Sequence, residues 1–170
     1  DMVFTEIGGT TYLYISESHQ IIRAVYRQGD ATLGATEVIV PDLPDNFTGE
    51  LQGRYGHSLK NPAIGGGKLY TSVASTSNSD PADVLAIFVS ELDGTNKRVF
   101  AEGLRNAEGL AFAPDGQLWA VVNHRDNVAF PPGHAAEGQI DQLYVNDHPA
   151  EPFTQVKDGA NYGWPYCNPN

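Results

Sequence analysis

A three-fold internal repeat constrains this 170-residue chain more than any other feature of its sequence. Gly9-Thr10-Thr11-Tyr12-Leu13-Tyr14-Ile15-Ser16 returns as Gly66-Gly67-Lys68-Leu69-Tyr70-Thr71-Ser72-Val73 and again as Asp115-Gly116-Gln117-Leu118-Trp119-Ala120-Val121-Val122. Each copy is a glycine turn, a leucine, an aromatic residue and a β-rich run, and the aligned leucines stand 56 and 49 residues apart. Further strand-like text follows each copy: IIRAVY and TEVIVPDL, then VLAIFVSELDG and KRVFAEGL, then QIDQLYVND and EPFTQV. A period of this length, built from short strands, predicts four-stranded antiparallel units stacked side by side as the blades of a β-propeller. APDG and SELDG read as hairpin turns, where Asp and Gly tolerate a positive φ. No window keeps a helical period, so the expected class is all-β.

The repeat divides the chain into blade-like units at approximately 1–55, 56–104 and 105–170 of one partial propeller domain. Closed propellers have roughly four to eight blades, so about three are too few to close a ring. The last strand-like text is followed by NYGWPYCNPN with no closing strand, and a fragment of a larger propeller is the expectation. Self-association that completes the ring is the alternative, because open sheet edges invite pairing.

Charge narrows the partners. The 21 acidic against 10 basic side chains give a formal net charge of −11, which excludes nucleic acid as a natural partner because phosphates demand clustered Lys and Arg. A solvated acidic surface accounts for this balance, and affinity for calcium is the sharper reading. No apolar run approaches the roughly 20 residues of a membrane-spanning helix, so no membrane insertion is expected. Cys167 is the only cysteine, which rules out a disulfide within the chain. Asn46-Phe47-Thr48 is an N-glycosylation sequon and fits an extracellular or periplasmic protein.

Chemistry-bearing residues gather just before the repeated strands. His57, in GRYGHSLKNPAIGGG, sits where a propeller strand opens onto the central channel. An imidazole there can accept a proton near neutral pH, or simply bond to a neighbouring backbone. Arg105-Asn106 stand in the same position ahead of the third repeat. A guanidinium and an amide suit a planar polyanion, with turn chemistry and a surface ion pair as the plainer account. Tyr162 and Trp164 in NYGWP offer flat rings for a conjugated ligand, or packing between blades. Gln52, Arg54 and Lys60 lie near His57 and could meet carboxylates, without a motif to assign them. Zinc on His124, His134 and His148 lacks the compact spacing of a structural site, and Asp141 and Asp147 read as turn acids rather than a second calcium site.

The string LRNAEGLAFAPDGQLW, with NYGWP downstream, resembles the soluble glucose/sorbosone dehydrogenases that use pyrroloquinoline quinone and calcium. The resemblance implies a six-bladed propeller, of which this chain would be about half. It implies that His57 is the catalytic base, with Gly56 standing where glucose enzymes commonly carry an acidic residue. It implies that Arg105 and Asn106 contact the quinone, Arg105 also stabilising the developing oxyanion, and that Tyr162 and Trp164 lie over the cofactor and substrate cleft. Backbone carbonyls of His124 and Arg125, in Asn123-His124-Arg125-Asp126, fall at the family's calcium positions. The expected activity is oxidation of a sugar or aldose hydroxyl by hydride transfer to the quinone, with electrons passed to an external acceptor. A calcium-dependent lactonase-type hydrolase would need Glu, Asn and Asp converging in the channel, where only Asn106 and Asn123 can be placed. A non-catalytic propeller fragment acting in binding or self-assembly is the remaining reading.

Overall fold

The computed structural model describes residues 1–45, 57–75 and 85–167. Three antiparallel sheets follow one another along the chain. The first is β1 (Met2–Ile7), β2 (Thr10–Ser16), β3 (Ile21–Val25) and β4 (Thr36–Val40), paired in that order. The second is β5 (Pro62–Gly65), β6 (Lys68–Val73), β7 (Ala86–Glu91) and β8 (Arg98–Glu102), again in sequence order. The third holds β9 (Ala107–Phe112), β10 (Leu118–Val122) and β11 (Phe153–Val156). These are propeller blades. Neighbouring first strands touch, β1 with β5 and β5 with β9, as innermost strands around a common axis do.

The repeated leucine–aromatic pair explains how the blades stack. Consecutive strand residues point to opposite faces, so the leucine and the aromatic serve different neighbours. Tyr14 of the first sheet and Leu69 of the second meet in one buried cluster with Ile21, Ile39, Val40 and Val73. Tyr70 of the second sheet packs against the next cluster, where Leu118 of the third is buried with Ala63, Ile87, Ala101 and Val156. Leu69 and Leu118 therefore face the preceding blade, and Tyr14 and Tyr70 the following one. On the third sheet the aromatic has no such partner: Trp119 stacks on Phe153 at 5.0 Å, and Phe153 is 69% exposed.

Both expected hairpins form, with the same bonding. In the SELDG turn Glu91 N–H donates to the Thr95 carbonyl at 2.9 Å and Asp93 Oδ1 accepts from Thr95 N–H at 3.0 Å. In the APDG turn Ala113 N–H donates to the Gln117 carbonyl at 2.9 Å and Asp115 Oδ1 accepts from Gln117 N–H at 3.0 Å. The first of these turns also seals a blade seam. Gly94 has a φ of +83°, and a methyl added there would lie 1.9 Å from the carbonyl oxygen of Ile39 on β4. Gly94→Ala combines left-handed strain with a backbone clash and is expected to lower stability by roughly 3 kcal/mol in urea unfolding. A loss within about 0.5 kcal/mol, the ordinary range of a surface substitution, would mean that β4 yields freely.

One expectation fails in the third unit. QIDQLYVND is not a strand: Gln142–Asp147 is a short helix, α1, and the third sheet has three strands among the described residues. Asp141 decides this locally. Its carboxylate accepts from Leu143 N–H at 2.9 Å and Tyr144 N–H at 3.3 Å, the bonds of a helix N-cap. The long connection from β10 to β11 then builds its own ring stack, His134 on Phe130, Phe130 against Tyr144, and Tyr144 on His148, with centroids 4.1 to 4.3 Å apart.

Candidate functional site

The site lies at the end of the blades where the first strands begin, opposite the hairpin turns. Residues 57–61 lead into β5, residues 103–106 into β9, and residues 123–126 leave β10, so three chain crossings meet there. His57 is half-buried, and its Nδ1 lies 2.8 Å from the Ser75 carbonyl. A carbonyl can only accept, so Nδ1 carries a proton, and in the neutral ring the lone pair is then on Nε2. Ser75 N–H in turn donates to the Arg105 carbonyl at 2.7 Å. The main chain of one residue thus ties the His57 ring to the Arg105 backbone at the entry to β9. Residue 56 lies outside the described residues, as do Gln52, Arg54 and the sequon at Asn46; the Ser75 carbonyl supplies the orienting partner that an acidic neighbour would otherwise provide.

Arg105 is buried at 4% exposure and reaches across to the loop leaving β10. Its Nη1 donates to the His124 carbonyl at 2.7 Å and lies 3.3 Å from both the carbonyl and Oδ1 of Asn123. Its guanidinium carbon sits 5.5 Å from the centre of the Trp164 ring, within cation–π range. Burial pushes its pKa below the usual guanidinium value, against the opposing pull of Asp126, Glu151 and Glu108. Asn106 Nδ2 donates to Glu108 Oε1 at 2.8 Å, and Asn123 N–H to the Asn106 carbonyl at 2.8 Å. The loop is held from a further side by Glu151, whose Oε2 accepts from His124 N–H at 2.8 Å. Nothing in the sequence marked Glu151, because it reaches the loop from 27 residues downstream.

His124 is buried beside Trp164, ring edge to ring at 5.8 Å. Desolvation, then the positive charges of Arg105 and Arg125, pull its pKa below the usual histidine value, so the ring is neutral. Among the described residues His124 Nδ1 and Trp164 Nε1 are buried polar atoms without a hydrogen-bond partner, so both are available to a ligand or water.

NYGWP reaches this end by running beside β8. Asn161 pairs in parallel with Glu102, Tyr162 N–H donates to the Glu102 carbonyl at 2.9 Å, and Trp164 N–H to the Gly103 carbonyl at 3.0 Å. The two aromatics then part company. Trp164 joins the Arg105–His124 group, whereas the Tyr162 hydroxyl is bonded internally, donating to the Gln155 carbonyl at 2.6 Å and accepting from Lys157 N–H at 3.0 Å. Tyr162 offers its ring alone to a cavity of about 200 Å³ lined by Leu104, Val122, His124, Thr154 and Trp164. That volume is below the roughly 300 Å³ of pockets that enclose drug-sized ligands.

The residues fit a planar polyanion such as the quinone: a buried guanidinium, an indole N–H and an imidazole nitrogen without partners, and a neighbouring base. They do not fit calcium as they stand. The His124 carbonyl already accepts from Arg105, and the Arg125 carbonyl adjoins it in the same loop. Among the described residues no three His, Cys, Asp or Glu side chains converge on a point. His134 and His148 are engaged in the ring stack, Asp141 caps α1, and Lys60 is buried with its Nζ donating to the Ser58 carbonyl at 2.8 Å.

Comparison with known proteins now places the chain. A family model described as TrAA12-like matches residues 5–170. The chain belongs to the TrAA12-like family. No curated protein sequence matches it. Solved structures with the same fold include the PQQ-bound form of aldose sugar dehydrogenase from Streptomyces coelicolor (20% identity, TM-score 0.60, 94% of this chain and 44% of that one). The Carbohydrate-Active Enzymes family AA12 protein of Trichoderma reesei, in its iodide structure, superposes with a TM-score of 0.69 at 19% identity, over 96% of this chain and 42% of that one. The PQQ domain of pyranose dehydrogenase from Coprinopsis cinerea gives 0.65 at 18% identity, over 94% and 38%. The TrAA12-like chain thus spans less than half the length of the solved structures it matches. Among its described residues no helix is long and apolar enough to cross a membrane.

Proposed function

We propose that this TrAA12-like chain carries the proton-accepting base and one wall of the cofactor site of a quinoprotein that oxidises a sugar or aldose hydroxyl. The observation that supports this most directly is the bond from His57 Nδ1 to the Ser75 carbonyl, which in the neutral ring leaves the lone pair on Nε2, while Ser75 N–H holds the Arg105 main chain. Pyrroloquinoline quinone, when bound, supplies the two-electron acceptor. His57 Nε2 takes the proton of the substrate hydroxyl, and Nδ1–H stays on the Ser75 carbonyl, so the ring keeps its orientation as it becomes cationic. Arg105 holds positive charge where negative charge collects, in a site shielded from water. Trp164 covers one side of the guanidinium and presents its N–H to the ligand, and Asn106, fixed by Glu108, borders the same mouth. An external acceptor takes the electrons on, and the protein works outside the cytoplasm, where sugar oxidation of this kind needs no nicotinamide pool. Calcium enters this reading only with Arg105 removed from the His124 carbonyl.

The test is a quinone titration of the purified chain followed by sugar-dependent dye reduction. Saturable quinone binding with turnover is expected, and His57→Asn is expected to bind quinone within threefold of the parent yet turn over roughly 10³-fold more slowly, because one general base contributes about 10²–10⁴-fold. Absence of quinone binding, or a His57→Asn variant with full turnover, would overturn the assignment.

A further inference from the structure

The two seams between blades are closed differently at the hairpin end, opposite the mouth. In the first seam the Tyr14 hydroxyl donates to the Leu92 carbonyl of the next blade at 2.6 Å. Arg23, directly across the sheet from Tyr14, packs its guanidinium carbon 5.0 Å from the centre of the Tyr12 ring. Its Nη1 donates to the same carbonyl and to the Tyr14 hydroxyl, each at 3.1 Å, so the seam is filled. Tyr70 is the counterpart of Tyr14 in the second repeat, and the residue across from it is Val89. Beside this shorter side chain lies a cavity of about 320 Å³, lined by Lys68, Tyr70, Glu91, Arg98, Phe100 and Asp158. That volume passes the roughly 300 Å³ at which pockets begin to enclose small ligands. The turns agree: a methyl at Gly94 would strike Ile39 in the first seam, whereas one at Gly159, in the turn after β11, would meet nothing within 4 Å.

We propose that this seam cavity binds a neutral polyhydroxylated ligand the size of one sugar ring, at the opposite end of the blades from His57. The charges that line it are already balanced. Lys68 is paired with Glu91, and Arg98 with Asp158 through two bonds of 2.7 and 2.6 Å. A charged ligand would have to break one of these pairs. A hydroxyl need not, because it can donate to a carboxylate lone pair and accept from a guanidinium N–H while both pairs stay intact. Adjacent donors and acceptors of this kind match neighbouring hydroxyls on one ring. The Tyr70 hydroxyl adds a further donor: among the described residues it has no hydrogen bond, and burial, then the charge of Asp158, raise its pKa and keep it protonated. The Tyr70 and Phe100 rings, edge to face with centroids 5.0 Å apart, form an apolar wall for the C–H side of the ligand. The site needs no cofactor, so it stands or falls apart from the quinone reading above.

Amide NMR shifts of the ¹⁵N-labelled chain, titrated with methyl β-D-glucoside and without quinone, test this directly. Saturable shifts are expected at Lys68, Glu91, Phe100 and Gly159, and none at His57 or Arg105. Tyr70→Phe is expected to weaken binding roughly fivefold, the worth of one neutral hydrogen bond, with its urea midpoint unchanged because the hydroxyl has no partner to lose. Tyr14→Phe is the converse control: it loses a bonded hydroxyl, so its urea midpoint is expected to fall while binding stays within about twofold. Val89→Met puts a longer side chain where Arg23 stands in the first seam and is expected to weaken binding roughly tenfold; should it fail to fold, Tyr70→Phe still decides. Cellotetraose, titrated in parallel, separates two sources of the same chemistry: tighter binding than the glucoside assigns the cavity to a polysaccharide chain, equal binding to a free sugar, and both uphold it. No saturable shift with either sugar, unchanged binding by Tyr70→Phe, or saturation by sodium phosphate in place of the glucoside would overturn the proposal.

Discussion

Gly103→Ala is expected to cost roughly 3 kcal/mol of stability and to detach the NYGWP segment from the mouth. Gly103 has a φ of +77°, and a methyl there would meet Gly163 N and Asn161 Oδ1 at 2.5 Å and Tyr162 N at 2.8 Å. Left-handed backbone costs a residue with a side chain about 1–2 kcal/mol, and forced overpacking typically adds about 1–3 kcal/mol. Two of the three atoms in the way are main chain, so they cannot rotate aside. Tyr162 and Trp164 would lose their bonds to the Glu102 and Gly103 carbonyls, and Arg105 its ring cover. Urea unfolding measures the first effect, and quenching of Trp164 fluorescence by iodide the second. A variant as stable as the parent, with unchanged quenching, would show that the segment is not docked as described.

The second large effect is one of pH. Lys60 is only 1% exposed, and burial lowers its pKa from 10.5 to about 8, with Asp45 pulling the other way. Between these values the unfolded chain holds a proton that the folded chain has released, so stability rises with pH across that window. Below pH 8 both states are charged and the folded one carries the full desolvation cost; above pH 10.5 both are neutral and the cost is gone. Each tenfold difference in proton affinity between the two states is worth about 1.36 kcal/mol, so the gain is about 3 kcal/mol. Lys60→Met removes the titrating group, and its unfolding free energy is expected to be flat over the interval in which the parent's climbs. Parallel pH profiles for the two proteins would mean that the lysine is solvated.

Blades were legible in the sequence because their signals are local and repeated. Leu13, Leu69 and Leu118 sit before an aromatic in each copy, and the period-two geometry of a strand turns that dipeptide into two opposite contacts. The hairpins were legible for the same reason, since Asp93 and Asp115 bond amides two residues away. Of the helix, the legible trace was Asp141 ahead of a short run, with Phe130 and His134, then Tyr144 and His148, four residues apart; strand-like residues such as Tyr144 and Val145 outweighed it. Site residues could be named from motifs, yet their bonds join positions far apart. His57 finds a carbonyl 18 residues on, and Glu151 an amide 27 residues back. The Tyr162 ring could be named from NYGWP, yet no local pattern signals that the Gln155 carbonyl accepts from its hydroxyl.

The link through Ser75 carries a consequence for how such a site drifts over generations. Its carbonyl accepts from the His57 ring and its N–H donates to the Arg105 carbonyl, so the tie between the base and the entry to β9 is written in main chain. Because both bonds are main chain, a side chain small enough for this buried position leaves them available. Only proline, which has no N–H to give the Arg105 carbonyl, severs the connection outright. A scan that reads importance from tolerated side chains would therefore undervalue a residue whose main chain ties the base to the start of the next blade.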